Sequence, residues 1–394
     1  MRGLATAHVV GQPTLRKSDT IWRLSAGQNT PHYSPDGKTI ASLSARTTFN
    51  PGGHLYLWDA ETLAPLDVND QFSLSALAWN PVEPNRFAAN VVQSFHVDRS
   101  TTGFLEWGSG DQAIVRQYNA PFNSFTGAVY APSGGFVAGW EDDNLFVFGV
   151  DAELPSLVLM RLGDSECPLI DGEFLCDLKG FWIVTPRTDA DRIYLNVGGT
   201  PAKGWFSPDS SEFTLVMGGD ITNIAESPAA DLLLTFDIAS GALLRQVQLA
   251  GGGDGLAPHP DGQHLVGLSP KRSVTKWDAK SGAVVYASDE PPEHVLSGQA
   301  ARDGIAVSPD GRLVAVSTWT RATDDFRAFF SLGVFDLEAA EWLWIERESP
   351  RLGGFSPNGA HLLVRPFDFQ LQFRSSVLQL RDPKDGAVIR TQIL

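Results

Sequence analysis

The eight histidines and two cysteines are the side chains of this 394-residue chain best suited to bind metal or move protons. Their spacing argues for neither. His54, His259, His264 and His361 fall near strands and turns at no ligand-pair interval, so each reads as an ordinary hydrogen-bonded residue. Cys167 and Cys176 lack the companions of a zinc site and are too few for a disulfide framework, so they read as two reduced, partly buried thiols. Gly-x-Ser-x-Gly and His-Glu-x-x-His are absent. The run GGGDG at 251–255 precedes a strand rather than the helix that a phosphate loop requires. Asp142-Asp143 and Asp324-Asp325 have calcium-type donors, but solvated loops are the simpler reading. The expectation is no catalytic residue, no metal, no cofactor and no enzymatic activity.

Recognition chemistry is better represented. Arg46, Phe49, His96, Arg99, Arg187, Arg321, Asp324, Asp325, Phe326, Arg327, Phe367 and Arg374 form a mixed set of arginines, aromatics and acids, with Asp220 and Phe369 among them in sequence. Arg and aromatic side chains combine large contact area with directed hydrogen bonds, which suits interface anchors. They are the candidate partner-binding residues. They sit in long polar stretches: 44–53, 92–103, 186–191, 218–231, 318–330 and 366–376. Long connections without regular structure are more often functional than decorative.

What must position these stretches is a repeat. The phrase AVSPDGRLVAVS (306–317) returns as HYSPDGKTIASLS (32–44), FSPDSSEFTLV (206–216), PHPDGQHLVGLS (258–269) and FSPNGAHLLV (355–364). In Ser-Pro-Asp-Gly, proline presets φ at the second turn position, Asp suits the third and Gly the fourth, while the Ser hydroxyl holds the turn. The flanking apolar residues alternate, so each phrase predicts strand, turn, strand. A second phrase follows: HLYLWDAET (54–62), LLLTFDIASG (232–241), SVTKWDAKSG (273–282), LGVFDLEAA (332–340) and LQLRDPKDG (378–386). Each is a strand ending in an aromatic or Arg before Asp, then a second turn and a further strand. One unit is therefore a four-stranded meander. Both turns fall at one end of it, and the loop after the second strand falls at the other.

Degenerate copies occupy 77–118 and 128–151, and turn prolines recur mostly about 46–52 residues apart, the interval of propeller blades. The exception is the gap from Pro132 to Pro208. There, 172–186 and 192–199 look like a blade without its turn motif, making 164–203 a degenerate blade or an insertion. A meander of this kind cannot bury both faces alone, whereas radial stacking covers them. The fold class expected is all-β, a β-propeller of four-stranded antiparallel blades, seven or eight in number with eight favoured. The stretches 20–28 and 387–394 both read as the outer strand of the closing blade.

The Ser-Pro-Asp-Gly and Trp-Asp phrasing resembles the WD40 and WD40-like repeat families. The stretch HYSPDGKTIASLSARTTFNPGGHLYLWDAET resembles the propeller repeats of TolB and of prolyl-oligopeptidase N-terminal domains. The resemblance covers the chain from about residue 15 and implies a propeller. Residues 1–14 are expected to be a poorly ordered N-terminal segment and 15–394 a single propeller domain.

The formal net charge of −16 disfavours nucleic acid and anionic membrane surfaces, which reward clustered Lys and Arg. The partner expected is a protein or peptide, basic by charge complementarity, bound to the long-loop face of a non-catalytic scaffold. The alternative is a propeller enzyme, or a small-ligand or metal-binding protein, using the central channel. With no apolar h-region at the N-terminus and no run of about 18 apolar residues, a cytoplasmic protein is expected.

Overall fold

Short apolar alternations cut by Gly, Pro, Asp and Ser build antiparallel strands nearly throughout. The computed structural model describes residues 6–8, 31–43, 53–94, 103–108, 114–119, 127–141, 144–150, 152, 155–161, 169–170, 173–174, 181–184, 193–195, 200–218, 230–291, 299–321, 328–347, 351–366 and 377–393. No helix among them is long and apolar enough to cross a membrane.

The predicted meander is present. Gln299–Val307, Leu313–Arg321, Ala328–Asp336 and Glu341–Arg347 pair consecutively and antiparallel. Arg351–Phe355, Leu362–Arg365, Val377–Arg381 and Val388–Ile393 do the same. Pairing of third with fourth strands slips register at Leu57/Trp58, Glu106/Trp107, Val147/Phe148, Lys276/Trp277, Val334/Phe335 and Leu380/Arg381. Such bulges bend and twist a strand. Here each falls at the aromatic or Arg residue that precedes the second turn.

Burial follows position in the meander. Second strands are buried on both faces, as in Thr39–Leu43 and Leu362–Arg365, whereas the fourth strand Val284–Ala287 is mostly exposed. This is why second strands read as apolar runs rather than as strict alternations.

The described chain divides into two compact units, one from Thr6–His8 with residues in 76–91 and 102–247, the other with residues in 15–75 and 248–394. The first unit has a core of Val147, Leu157, Phe206, Phe213 and Leu215, among others, and a second cluster around Phe146 and Phe148. The second unit centres on Trp58 and Leu380, on Val266 and Val314, and on Leu332 and Leu362.

The expected blade count is corrected. Counted as hydrogen-bonded sheets among the described residues, there are six, of eight, six, two, seven, four and four strands, not seven or eight separate four-stranded blades. One reason is continuity. Pro65–Trp79 and Leu243–Pro258 are 15 and 16 residues long, and each serves as the last strand of one meander and the first of the next. The other reason is the 164–203 interval. Phe181–Val184 pairs with Pro155–Arg161, and Ile193–Leu195 pairs with Phe181–Val184, so these strands widen an existing sheet. Val147 and Leu157 share one core cluster with Phe206 and Phe213, so the sheets that carry them pack directly on each other. The described strands therefore form six sheets, not the expected seven or eight separate four-stranded ones.

Residues 20–28 lie outside the described residues, and Val388–Ile393 forms the last strand of its sheet. Thr6–His8 pairs with Ile114–Asn119. Cys167 and Cys176 lie outside the described residues.

Close packing yields a stability prediction. A Cβ on Gly204 would lie 2.4 Å from the ring of Phe213, which is fully buried. Gly204→Ala should destabilise by about 1–3 kcal/mol, the range for overpacking. It should lower the urea midpoint with little change in slope. An unchanged midpoint would show that the Phe213 ring has room to move.

Candidate functional site

The two ends of the meanders differ in construction. At the turn end, a few short-range hydrogen bonds determine the geometry. Ser308 Oγ donates to Asp310 Oδ1 at 2.5 Å, the same oxygen accepts the Arg312 N–H at 3.0 Å, and Ser308 Oγ accepts the Leu313 N–H at 2.8 Å. Ser34 with Asp36, Ser207 with Asp209, and Ser356 with Asn358 repeat the pattern. Residues one and six of each turn are joined by backbone as well, as Ser34 N–H to Thr39 O and Ser308 N–H to Leu313 O.

The second turn is held by its own acid. Asp59, Asp237 and Asp278 each accept from the backbone N–H and hydroxyl of the residue three further on, Thr62, Ser240 and Ser281. Hydrogen bonds to the charged form favour it, and all three carboxyls are held below the usual carboxylate range, chiefly by those side-chain hydroxyls. Asp336 does the same with the N–H groups of Glu338 and Ala339, and also receives the Arg312 guanidinium at 2.7 Å.

Successive first turns touch. In the first unit, Ser133 N–H donates to Ser210 Oγ at 3.0 Å, and Asn80 packs against Gly134. In the second, Pro309 packs against Gly359 and Pro357 against Gly37. The turn motif thus does double work: it closes its own hairpin and abuts the next.

One turn carries a different donor set. In Pro258-His259-Pro260-Asp261-Gly262, His259 stands where Ser34, Ser207, Ser308 and Ser356 stand in theirs, and His264 occupies the sixth position. The His259 N–H still bonds to His264 O. Asp261 Oδ1 takes the Gln263 and His264 N–H groups, at 2.9 and 3.1 Å. Asp261 Oδ2 lies 2.8 Å from His259 Nδ1, 2.7 Å from His264 Nδ1 and 3.4 Å from Lys276 Nζ. Among the described residues, His259, Asp261 and His264 are the group that brings three metal-ligating side chains together. Sequence spacing did not suggest this, although the pairing of positions one and six in the sister turns was the available signal.

At the other end lie the connections after the second strands. The segments 44–52, 95–102, 219–229, 322–327 and 367–376 join antiparallel neighbours there and lie outside the described residues. So do Arg46, Phe49, His96, Arg99, Arg187, Asp324, Asp325, Phe326, Arg327, Phe367 and Arg374. Arg321 ends its strand, its backbone opposite Ala328. The pair Arg321 and Ala328 therefore forms the root of the 322–327 connection.

No family model matches the chain, and no curated protein matches it. Among solved structures, 1369 chains match, so the likeness is too widespread to select a function. One is the crystal structure of the β-propeller domain of Myceliophteria thermophila Cps50 (Swd1). It superposes with a TM-score of 0.57 at 15% sequence identity, over 90% of this chain and 97% of that one. The likeness establishes a β-propeller fold.

The turn chemistry has a pH signature. Asp209 is held at about 2, against an ordinary 3.8, first by the Ser207 hydroxyl and then by the N–H and hydroxyl of Ser211. A folded value below the unfolded one means that the contribution is complete above about pH 4 and is lost as pH falls through about 2. Asp209→Asn should therefore lose less stability than wild type between about pH 4 and 2, read from urea midpoints at stepped pH. Equal acid sensitivity in the variant would assign that loss to other carboxyls.

Proposed function

We propose that the chain is a non-catalytic interaction scaffold that binds a protein or peptide on the connections following its second strands. The observation that carries this reading is the unequal construction of the two ends of each meander. The turn end is committed to internal hydrogen bonds, with Ser and Asp side chains consumed in holding the backbone. The other end holds the longest connections, and those contain the Arg, Phe and Asp residues best suited to anchor a partner. The candidate contacts on those connections are Arg46, Phe49, His96, Arg99, Arg321, Asp324, Asp325, Phe326, Arg327, Phe367 and Arg374; Arg187, the remaining candidate, lies instead between Phe181–Val184 and Ile193–Leu195.

The fold likeness to the Cps50 (Swd1) propeller domain is compatible with such a role, since propellers present loops on a rigid frame. The net charge of −16 adds that a basic segment would be drawn in by long-range attraction. Such attraction weakens as ionic strength rises.

The test is recovery of interacting proteins by immobilised chain, wild type against Arg321→Ala/Phe326→Ala and against a variant with 322–327 replaced by a short Gly-Asn turn. Both variants should keep the wild-type melting temperature and lose about tenfold or more of the bound partner, as expected for interface anchors. Binding should also fall with added salt. Undiminished, salt-independent recovery by both folded variants would remove this end as the docking surface.

A further inference from the structure

We propose that His259 Nδ1, His264 Nδ1 and Asp261 Oδ2 form a binding site for a divalent transition-metal ion of the zinc class. The three ligand-type atoms lie within 4.8 Å of one another. The site stands at the turn end of its meander and is independent of the docking role proposed above.

The hydrogen-bond partners of His259 define its tautomer. Its Nε2 lies 3.0 Å from the carbonyl oxygen of Gly311, which can only accept, so Nε2 carries hydrogen. Its Nδ1 lies 3.2 Å from the Asp261 N–H, a donor, and 2.8 Å from Asp261 Oδ2, an acceptor. In that tautomer Nδ1 bears its lone pair beside Asp261 Oδ2, so a cation seated between them would be held by both atoms and would displace the long Asp261 N–H contact.

The surroundings fit that assignment. A metal-bound imidazole usually donates its other ring N–H to a carbonyl or carboxylate, which fixes ring orientation. His259 Nε2–H to Gly311 O is that arrangement. Gly311 is also sterically required: a Cβ there would lie 2.7 Å from the His259 ring, and its φ is +78°.

Two imidazoles and one carboxylate favour Zn²⁺ and its late first-row neighbours over Ca²⁺ or Mg²⁺, which prefer all-oxygen shells. Three protein ligands leave a fourth position for water. The opposing group is Lys276, whose ammonium lies 3.4 Å from Asp261 Oδ2 and must swing aside on its flexible stem.

The experiment titrates chelator-stripped full-length protein with zinc chloride by calorimetry and follows thermal melting with and without zinc. Wild type should bind one equivalent and melt higher with zinc, since a ligand specific to the folded state stabilises it. Asp261→Asn keeps an acceptor oxygen for the Gln263 and His264 N–H groups but loses the charge. It and His264→Ala should lose affinity by about 100-fold or more, beyond what loss of an outer partner costs. Lys276→Met should bind more tightly than wild type. No heat and no melting shift in stripped wild type would overturn the proposal, as would wild-type affinity in folded Asp261→Asn and His264→Ala.

Discussion

The constraint on which the structure depends is that the second strand of each meander is apolar on both faces. In Glu212–Gly218, Phe213, Leu215 and Met217 face one way and Val216 the other, and all four are buried. A single antiparallel sheet leaves one such face in water, at a cost of about 25 cal/mol for each Å² of apolar surface. Covering both faces requires another sheet on each side, and the clusters that join Val147 and Leu157 to Phe206 and Phe213 are the result. The polarity gradient along each meander follows. Inner strands lose their polar alternation, while outer strands such as Val284–Ala287 keep exposed positions.

Stacking of this kind tolerates little error in the turns, because each turn sets the height at which its strands enter the stack. The Ser–Asp lock meets that demand with short local bonds, and contacts such as Ser133 to Ser210 and Pro357 to Gly37 align one hairpin with its neighbour. The opposite ends of the strands bear no such duty, so the chain is free to lengthen there. A division between a structural end and a variable end follows from packing alone, before any partner is considered. Sequence change there costs the core least.

The turn at 258–262 shows how the same frame admits a different chemistry. Replacing Ser by His at position one keeps the backbone bond from His259 N–H to His264 O. Asp261 then takes over the N–H of position six that a Ser hydroxyl accepts elsewhere. The lock survives with a new donor set, and two imidazole rings are brought to one carboxylate as a by-product of hairpin geometry.

Much of this was legible in the amino-acid order. The repeated Ser-Pro-Asp-Gly and Asp-x-x-x-Gly phrases report local turn energetics, and local energetics need no knowledge of the rest of the chain. Hence the meander and its turns follow from the sequence, whereas the burial of both faces of its second strand needs the neighbouring sheets. Nor does the number of sheets follow from it. Whether Pro65–Trp79 and Leu243–Pro258 break between meanders or run on, and whether Phe181–Val184 starts a sheet or joins one, depends on which distant edge offers free hydrogen-bonding groups. The meeting of His259 and His264 was half legible, since sister turns already pair positions one and six. The contact of His259 with Gly311, 52 residues away, was not, because only the packing of one turn on the next brings that carbonyl to the ring. Sequence determined each hairpin through bonds between near neighbours; tertiary structure decided the sheet count and the contact of His259 with Gly311, because both arise between segments that sequence order leaves far apart.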